Sequence, residues 1–229
     1  MKFPILEINK HFDSINTIQG IFSVFGDFGV GKTTFALQIA TGSAKIGKNV
    51  IYVYTKHNLP SEKILIISSN SKEILDNILF IQTINFDELN KIIFNFEFLI
   101  LNHINKKKIN YSLIVIDSIT NLYRLELNKI NKEKNYELNY KLNQMLANLT
   151  YLNETYDIEI LIINEISRKN INNQIIELQT GGKVMEYWVN YQLKIARTKK
   201  LNERKLILTK YPEENEYNFM SFIKKKGFE

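Results

Sequence analysis

Several classes of protein are excluded by what this sequence lacks. It contains no cysteine, so neither a disulfide framework nor a cysteine-ligated zinc site can form. Its three histidines are scattered along the chain and do not suggest a metal cluster. No apolar stretch approaches the roughly 20 residues of a membrane span, and the N-terminal residues lack the apolar run of a signal peptide. We therefore expect a soluble cytoplasmic protein that makes no contact with a membrane.

The length and composition favour one well-buried α/β core. The chain has 229 residues, of which 45% are apolar. We expect a single domain over residues 1–229, because a second full domain would not fit comfortably beside such a core. The formal net charge of +6 favours a polyanionic partner, but the lysines are spread over the whole chain, so charge alone does not identify one.

The most informative motif is GDFGVGKT at residues 26–33. It fits the phosphate-binding pattern G-x-x-x-x-G-K-[ST] at every fixed position, and it lies between a short apolar β-prone run and a sequence with helical periodicity. These flanks argue against a chance glycine-rich turn, so we predict binding of ATP. Lys32 would reach the β and γ phosphates, and the Thr33 hydroxyl would bind Mg²⁺. The predicted nucleotide-binding residues are Gly26, Asp27, Phe28, Gly29, Val30, Gly31, Lys32, Thr33 and Thr34.

A second acidic element completes this prediction. Residues 113–116 form a continuous apolar run that ends at Asp117, an arrangement that holds a carboxylate beside Mg²⁺ at the carboxyl edge of a parallel sheet. An aspartate in this position is often only a helix cap. Together with the phosphate-binding motif, however, it favours a metal site formed by Thr33 and Asp117.

Strand and helix patterns alternate, which predicts a mostly parallel sheet flanked by helices. Further strands are predicted at residues 50–53, 78–81, 113–116 and 158–163, and helices at residues 87–101 and 133–152. The last third changes character, and short strands at residues 192–195, 206–208 and 219–223 are expected to close the sheet in an antiparallel manner. We interpret the basic run at residues 224–226 as a frayed tail.

Four segments together resemble a known family. They read GDFGVGKTT, LIVIDSITNLYRLEL, LIINE and GGKVMEYW, and in this order and spacing they resemble the RadB family, the short archaeal paralogues of the RecA/RadA recombinases. The second and fourth segments are the specific ones, and the resemblance extends from about residue 21 to residue 222. It implies a RecA-type P-loop NTPase core without a separate N-terminal DNA-binding domain, and a role in DNA repair and recombination.

The resemblance also implies partners. Two loops that face DNA in this family correspond to residues 124–136 and 166–182. Their predicted DNA-binding residues are Arg124, Lys132, Arg168, Lys169 and Lys183. Such basic, polar loops suit the backbone of single-stranded or branched DNA. A RadA-type recombinase is the implied protein partner, and a homo-oligomer remains open, although no docking linker for autonomous filament assembly is evident.

Two departures from the family concern catalysis. RecA-like ATPases carry a water-orienting glutamate just after the second strand, whereas Lys56 stands there in this chain. Because a charged lysine cannot accept a proton, we expect at most slow hydrolysis. The second departure is Glu165, where the family usually has a glutamine. Glu165 either forms a compensating pair with Lys56 or replaces the missing base. Together with Lys32, which would bind the phosphates, Glu165 is a predicted catalytic residue.

The expected function is that of an accessory protein of homologous recombination, one that binds ATP and hydrolyses it weakly or not at all. Two alternatives remain. One is an active DNA-dependent ATPase that exchanges strands, against which the missing glutamate counts. The other is a KaiC-like regulatory ATPase with protein partners, which explains neither the LYRLEL nor the GGKVMEYW segment.

Overall fold

The computed structural model describes residues 1–12, 18–105, 110–128, 130, 132–171, 174–210 and 215–229. Within these ranges, the side chains of residues 103–105, 169, 171 and 174 are left undescribed. The helices are α1 Leu6–Phe12, α2 Lys32–Lys45, α3 Ser61–Ile67, α4 Lys72–Asp76, α5 Phe86–Phe94, α6 Phe96–Asn105, α7 Ile119–Glu126, α8 Lys132–Tyr156 and α9 Gly182–Trp188. The strands are β1 Ile21–Gly26, β2 Asn49–Tyr54, β3 Ile78–Gln82, β4 Tyr111–Asp117, β5 Glu159–Ile171, β6 Gln174–Gln179, β7 Val189–Arg197, β8 Glu203–Lys210, β9 Asn215–Lys224 and β10 Gly227–Phe228.

The described strands form one mixed sheet. Its order is β10-β9-β8-β7-β1-β5-β4-β2-β3, and β6 pairs with β5 outside this path. The strands from β7 through β3 in this order pair in parallel, whereas β7, β8, β9 and β10 pair antiparallel to one another. The predicted parallel sheet with antiparallel C-terminal strands is confirmed.

Helices cover both faces of the sheet, which explains why β1 and β4 are apolar on both sides. Phe22 and Val24 of β1 pack into one core with α2, while Ile21 belongs to a second core with α5 and α8. Parallel strands buried on two faces read as continuous apolar runs, as 113–116 does. Among the described residues, no helix has the length and apolarity that a membrane crossing requires.

The predicted helix at residues 87–101 is two helices. Asn95 ends α5, and its side-chain Nδ2 donates a hydrogen bond to the carbonyl oxygen of Lys91 at 2.9 Å. A side chain that bonds the backbone of the preceding turn competes with helix continuation, so α6 begins anew at Phe96. The helix predicted at 133–152 is present and longer, from Lys132 to Tyr156.

Neither of the two predicted loops is mainly irregular. Residues 124–126 belong to α7 and residues 132–136 to α8. Ser118 caps α7 by accepting a hydrogen bond from the backbone N–H of Asn121, and Leu122 and Tyr123 are buried. Residues 166–182 contain a β-hairpin, in which β5 and β6 pair from Ile166 with Gln179 to Ile171 with Gln174. Both predicted DNA-facing segments therefore contain regular secondary structure, and their contact with DNA stays a prediction.

The basic run at residues 224–226 is not a frayed tail. It comprises the last residue of β9 and the turn that leads into β10, and these two strands pair antiparallel. Phe228 is only 2% exposed and packs on Phe35 of α2 with ring centroids 5.2 Å apart. The Gln38 side chain donates to the carbonyl oxygen of Phe228 and accepts from its backbone N–H. These contacts hold the turn against α2.

Candidate functional site

The phosphate-binding loop joins β1 to α2, as its sequence predicts. Gly26, Gly29 and Gly31 have φ angles of 154°, 74° and 107°, in a region that side chains disfavour. A Cβ on Gly31 would lie 2.5 Å from Cδ1 of Ile223, so a side chain there would collide with β9. A cavity of about 260 Å³ opens at this loop. Its lining residues are Phe28, Gly29, Gly31, Lys32, Thr33, Thr34, Lys56 and Glu165.

Lys32 is folded back onto its own loop. Its Nζ donates to the carbonyl oxygens of Gly26 and Asp27 at 2.8 and 2.9 Å, and lies 3.3 Å from Oε2 of Glu165. The side chain is 7% exposed. Burial lowers the pKa of Lys32, and the attraction of Glu165 opposes this. The phosphates of a nucleotide would replace these contacts.

Asp117 lies at the carboxyl end of β4 and is fully buried. Its Oδ2 accepts a hydrogen bond from the Tyr52 hydroxyl at 3.0 Å, whereas its Oδ1 has no hydrogen-bond partner. Burial raises the pKa of Asp117, against the attraction of Lys56 and the hydrogen bonds from Thr33 and Tyr52. An unpartnered buried carboxylate oxygen beside a threonine hydroxyl fits a hard divalent cation such as Mg²⁺. Thr33 and Asp117 are the residues that would hold it.

The position expected to carry a catalytic glutamate does face the site. Thr55 anchors this segment, since its hydroxyl donates to the carbonyl oxygen of Ser118 and accepts from the Ser118 backbone N–H. The next residue, Lys56, is half-buried and lines the 260 Å³ cavity. The residue beside the phosphate-binding loop at the end of β2 is therefore a cation.

Glu165 stands opposite Gly26 in the register between β5 and β1. Its backbone N–H donates to the Thr120 hydroxyl and to Oδ1 of Asn164, which fixes the residue at the base of the hairpin. Within the described part of the chain, its ion pair is with Lys32. A pair with Lys56, one of the two alternatives for Glu165, is not among the ion pairs of the described residues.

Asp27 and Arg168 join the hairpin to the phosphate-binding loop, a contact not foreseen from the sequence. An Arg168 guanidinium nitrogen lies 2.6 Å from Oδ1 of Asp27 and 2.9 Å from Oε1 of Glu177. Lys194 of β7 binds the other oxygen of Glu177 at 2.9 Å. The hydrogen bonds from Asp27 and Glu177 raise the pKa of Arg168. We call these four residues the hairpin clasp.

The other predicted DNA contacts lie at different places. Arg124 is exposed in the last turn of α7 and lines a cavity of about 490 Å³. This cavity shares Phe28, Lys56 and Glu165 with the 260 Å³ cavity at the phosphate-binding loop. Lys132 and Lys183 are exposed in the first turns of α8 and α9. The backbone of Lys169 pairs with Ile176, but its side chain lies outside the described residues.

Three further residues support the site without any signal in the sequence. Tyr52 is buried inside β2 and holds Asp117. Arg197 donates to the carbonyl oxygen of Phe28 at 2.9 Å, and Arg204 donates to that of Val30 at 3.1 Å. These arginines stabilise the phosphate-binding loop from β7 and β8, far along the chain.

The fold and the site are those of a RecA-type nucleotide-binding protein. A model of the Rad51 family matches residues 9–229, so the chain belongs to this family. The Rad51/RecA family comprises ATP-binding proteins that usually use Mg²⁺.

Within the family, the chain is a RadB-type paralogue of the recombinases. It is similar to the protein called "DNA repair and recombination protein RadB" in several methanogens. It is 36% identical to that of Methanocaldococcus jannaschii, over 93% of this chain and 95% of the relative. It is 33% identical to that of Methanococcus maripaludis strain C5, over 91% and 90%. It is 27% identical to that of Methanobrevibacter smithii, over 83% and 79%.

Proposed function

We propose that this protein is an ATP-binding accessory factor of homologous recombination and DNA repair. The observation that carries the proposal is that Lys56 lines the cavity at the phosphate-binding loop together with Lys32 and Thr33, at the position where a base is expected. Residues 26–34 would bind the phosphates, and Thr33 and Asp117 would bind Mg²⁺. The names of its relatives support a role in repair and recombination.

The cation at position 56 supports slow hydrolysis. General-base assistance is worth about 10²- to 10⁴-fold in rate, and a lysine that lines the phosphate cavity cannot supply it while it is charged. Glu165 also lines that cavity, and its carboxylate becomes available as a base once Lys32 turns to the phosphates. In this proposal ATP is bound rather than consumed, and any residual turnover depends on Glu165.

ATP would act as a conformational ligand of the hairpin. The hairpin contacts the phosphate-binding loop through Lys32 with Glu165 and through Asp27 with Arg168. Phosphates at the loop would compete with Glu165 for Lys32 and add negative charge beside the hairpin clasp. A ligand that binds two hairpin arrangements unequally shifts their populations, which supports coupling between nucleotide and DNA.

DNA would bind through the hairpin and the first turns of α8 and α9. Arg168, Lys169, Lys132 and Lys183 are the proposed contacts, together with Arg124 beside the nucleotide cavity. Lysine and arginine side chains contact phosphates without reading sequence. We propose that the nucleic acid is single-stranded or branched DNA and that the protein partner is a RadA-type recombinase. We further propose that the chain forms a single domain and acts in the cytoplasm, either as a monomer or as a homo-oligomer.

The test is ATP turnover with and without single-stranded DNA, measured together with nucleotide affinity for the wild type and Lys32→Ala. We expect tight binding by the wild type, weak binding by the variant, and negligible turnover that DNA does not stimulate. Brisk DNA-stimulated turnover would instead support the strand-exchanging ATPase. Nucleotide binding with DNA affinity that ignores salt would favour the KaiC-like alternative, because phosphate contacts release counterions.

A further inference from the structure

A second basic site lies away from the phosphate-binding loop. A cleft of about 570 Å³ separates the start of the chain, the last two turns of α2, the turn between α3 and α4 and the turn at residues 224–226. Its lining includes Lys2, Lys45 and Lys226, together with the hydroxyl groups of Ser68, Ser69 and Ser71, and it includes no carboxylate. We call this feature the basic cleft.

The three lysines of the basic cleft are available to a ligand. Lys2, Lys45 and Lys226 are exposed, and none of them forms an ion pair with another residue that the structure describes. Lys226 is held in place because the β9–β10 turn is anchored on α2. Nζ of Lys63 donates to the carbonyl oxygen of Lys225 at 3.2 Å and adds another cation beside the cleft.

Of the hydroxyl groups of the cleft, those of Ser69 and Ser71 can donate to a ligand, whereas that of the buried Ser68 already donates to the carbonyl oxygen of Leu65. Oγ of Ser71 accepts a hydrogen bond from the backbone N–H of Ile74, so the hydroxyl proton of Ser71 is free to point elsewhere. Ser69 is exposed at the turn between α3 and α4. Ammonium and hydroxyl donors without a competing carboxylate suit phosphate oxygens.

The basic cleft is separate from the nucleotide site. Lys32 and Lys45 are the first and last residues of α2. Thirteen residues at 1.5 Å rise place them about 20 Å apart along the helix. A nucleotide at the phosphate-binding loop therefore does not occupy the cleft.

We propose that the basic cleft binds the sugar-phosphate backbone of double-stranded DNA. Single-strand sites present aromatic side chains on which bases stack, whereas the aromatic residue lining this cleft, Phe3, is 3% exposed and packs in the core. The exposed groups of the cleft are therefore lysine ammonium groups and serine hydroxyl groups, which can donate hydrogen bonds to phosphates. Contacts of this kind support binding of a duplex without regard to its sequence. This inference rests on the proposed function as a DNA-binding protein. It assigns the single strand to the hairpin side and the duplex arm of a branched DNA to the cleft.

The test compares a triple variant, Lys2→Gln with Lys45→Gln and Lys226→Gln, with a control of equal charge. The control is Lys10→Gln with Lys91→Gln and Lys205→Gln, which are exposed lysines outside the cleft. Affinities for a duplex and for a single strand of the same length are measured by fluorescence anisotropy across a salt series. We expect the cleft variant to bind the duplex about tenfold or more weakly, and the slope of log affinity against log salt to become shallower by roughly 2.7, from 0.9 for each of three phosphates.

The outcomes separate this inference from the proposed function. The cleft variant should keep its single-strand affinity and its thermal midpoint, and the control should match the wild type on both probes. If the wild type binds neither probe, the proposed DNA-binding function fails and this inference fails with it. If the wild type binds both and the cleft variant retains full duplex affinity and slope, only this inference is overturned. A poly-glutamate peptide serves as a third probe. If the cleft variant loses affinity for this peptide but keeps its affinity for the duplex, the inference is overturned and the cleft is a site for an acidic protein segment.

Discussion

Asp117 shows how one residue can support binding at the expense of the fold. Burial raises its pKa above the ordinary value of 3.8, so the folded chain holds the proton more tightly than the unfolded chain. Between the two pKa values the unfolded state binds fewer protons, and the free energy of unfolding falls as the pH rises through this window. Above this window the carboxylate therefore costs the fold stability, against the attraction of Lys56, unless a further cation such as Mg²⁺ faces it.

Asp117→Asn should consequently raise the thermal midpoint of the nucleotide-free protein at neutral pH. The gain is of the order of 1 kcal/mol, or about 2–4 °C for a chain of this size, and it should shrink as the pH falls towards 4. The variant should also lose Mg²⁺-dependent ATP binding. Thermal unfolding between pH 4 and pH 8 measures this, with the exposed Asp76→Asn as control. A lower midpoint for Asp117→Asn at neutral pH would contradict the argument.

Lys56 is the residue to which we attribute the slow hydrolysis that we propose. Lys56→Glu should raise turnover by about 10²-fold if the carboxylate reaches the attacking water, since general-base assistance is worth at least this much. Lys56→Gln is the matched control, because it removes the charge without adding a base. Single-turnover hydrolysis of bound ATP gives the rates. If both variants hydrolyse ATP equally faster than the wild type, the lysine charge slows hydrolysis and a base is not what is missing. If Lys56→Glu hydrolyses ATP at the wild-type rate, the lost-base explanation is refuted.

Single residues could be predicted from the sequence where their roles depend on neighbours along the chain. The phosphate-binding loop, Thr33 and Asp117 follow from a local motif and from an apolar strand that ends in an acid. Tyr52 and Arg204 could not be predicted, because their partners lie 65 and 174 positions away. The pairing of Glu165 with Lys32 could not be predicted for the same reason, since only the register between β1 and β5 brings the two residues together.

The hairpin is the element in which sequence and structure differ most. Ile175 and Ile176 are 70% and 39% exposed, so the apolar side chains at the start of β6 are not covered by a core. Without a buried face, the alternation of apolar and polar residues that reveals a strand is absent. By contrast, α8 was predictable because Leu142, Leu146 and Leu149 are fully buried at helical spacing.

The hairpin clasp leads to a prediction about DNA affinity. Asp27→Asn removes one of the two carboxylates that neutralise Arg168, so the guanidinium should become available to a phosphate. We expect the nucleotide-free variant to bind single-stranded DNA more tightly than the wild type, with a salt slope steeper by about 0.7, the value for one phosphate of a single strand. Anisotropy titrations at several salt concentrations measure both quantities.

The control for this prediction is Arg168→Gln, alone and combined with Asp27→Asn. The double variant should bind like Arg168→Gln alone, because the gain depends on the guanidinium. A gain that persists without Arg168 would mean that Asp27 acts by general repulsion of DNA. An unchanged slope in Asp27→Asn would show that the hairpin clasp does not mask Arg168.

At the scale of the whole molecule, nucleotide binding should stabilise the fold by mass action. Gly26 of the phosphate-binding loop lies close to β7 and Gly31 lies close to β9, while Arg204 of β8 donates a hydrogen bond to the loop. A ligand that orders the loop therefore reinforces the centre of the sheet and its antiparallel part. At a concentration 100 times the dissociation constant, Mg²⁺-ATP should stabilise the wild type by about 2.7 kcal/mol, or roughly 5–10 °C. Each further tenfold increase in ATP should add about 1.4 kcal/mol.

Two variants separate this effect from a general action of the nucleotide on the protein. Lys32→Ala should show little or no shift, because it removes the cation that binds the phosphates, whereas Lys183→Ala, which changes an exposed residue of α9, should shift like the wild type. Differential scanning fluorimetry with increasing Mg²⁺-ATP, with and without EDTA, measures the shifts. If EDTA leaves the wild-type shift unchanged, Asp117 and Thr33 do not hold a metal. If Lys32→Ala shifts as much as the wild type, the nucleotide binds somewhere other than the phosphate-binding loop.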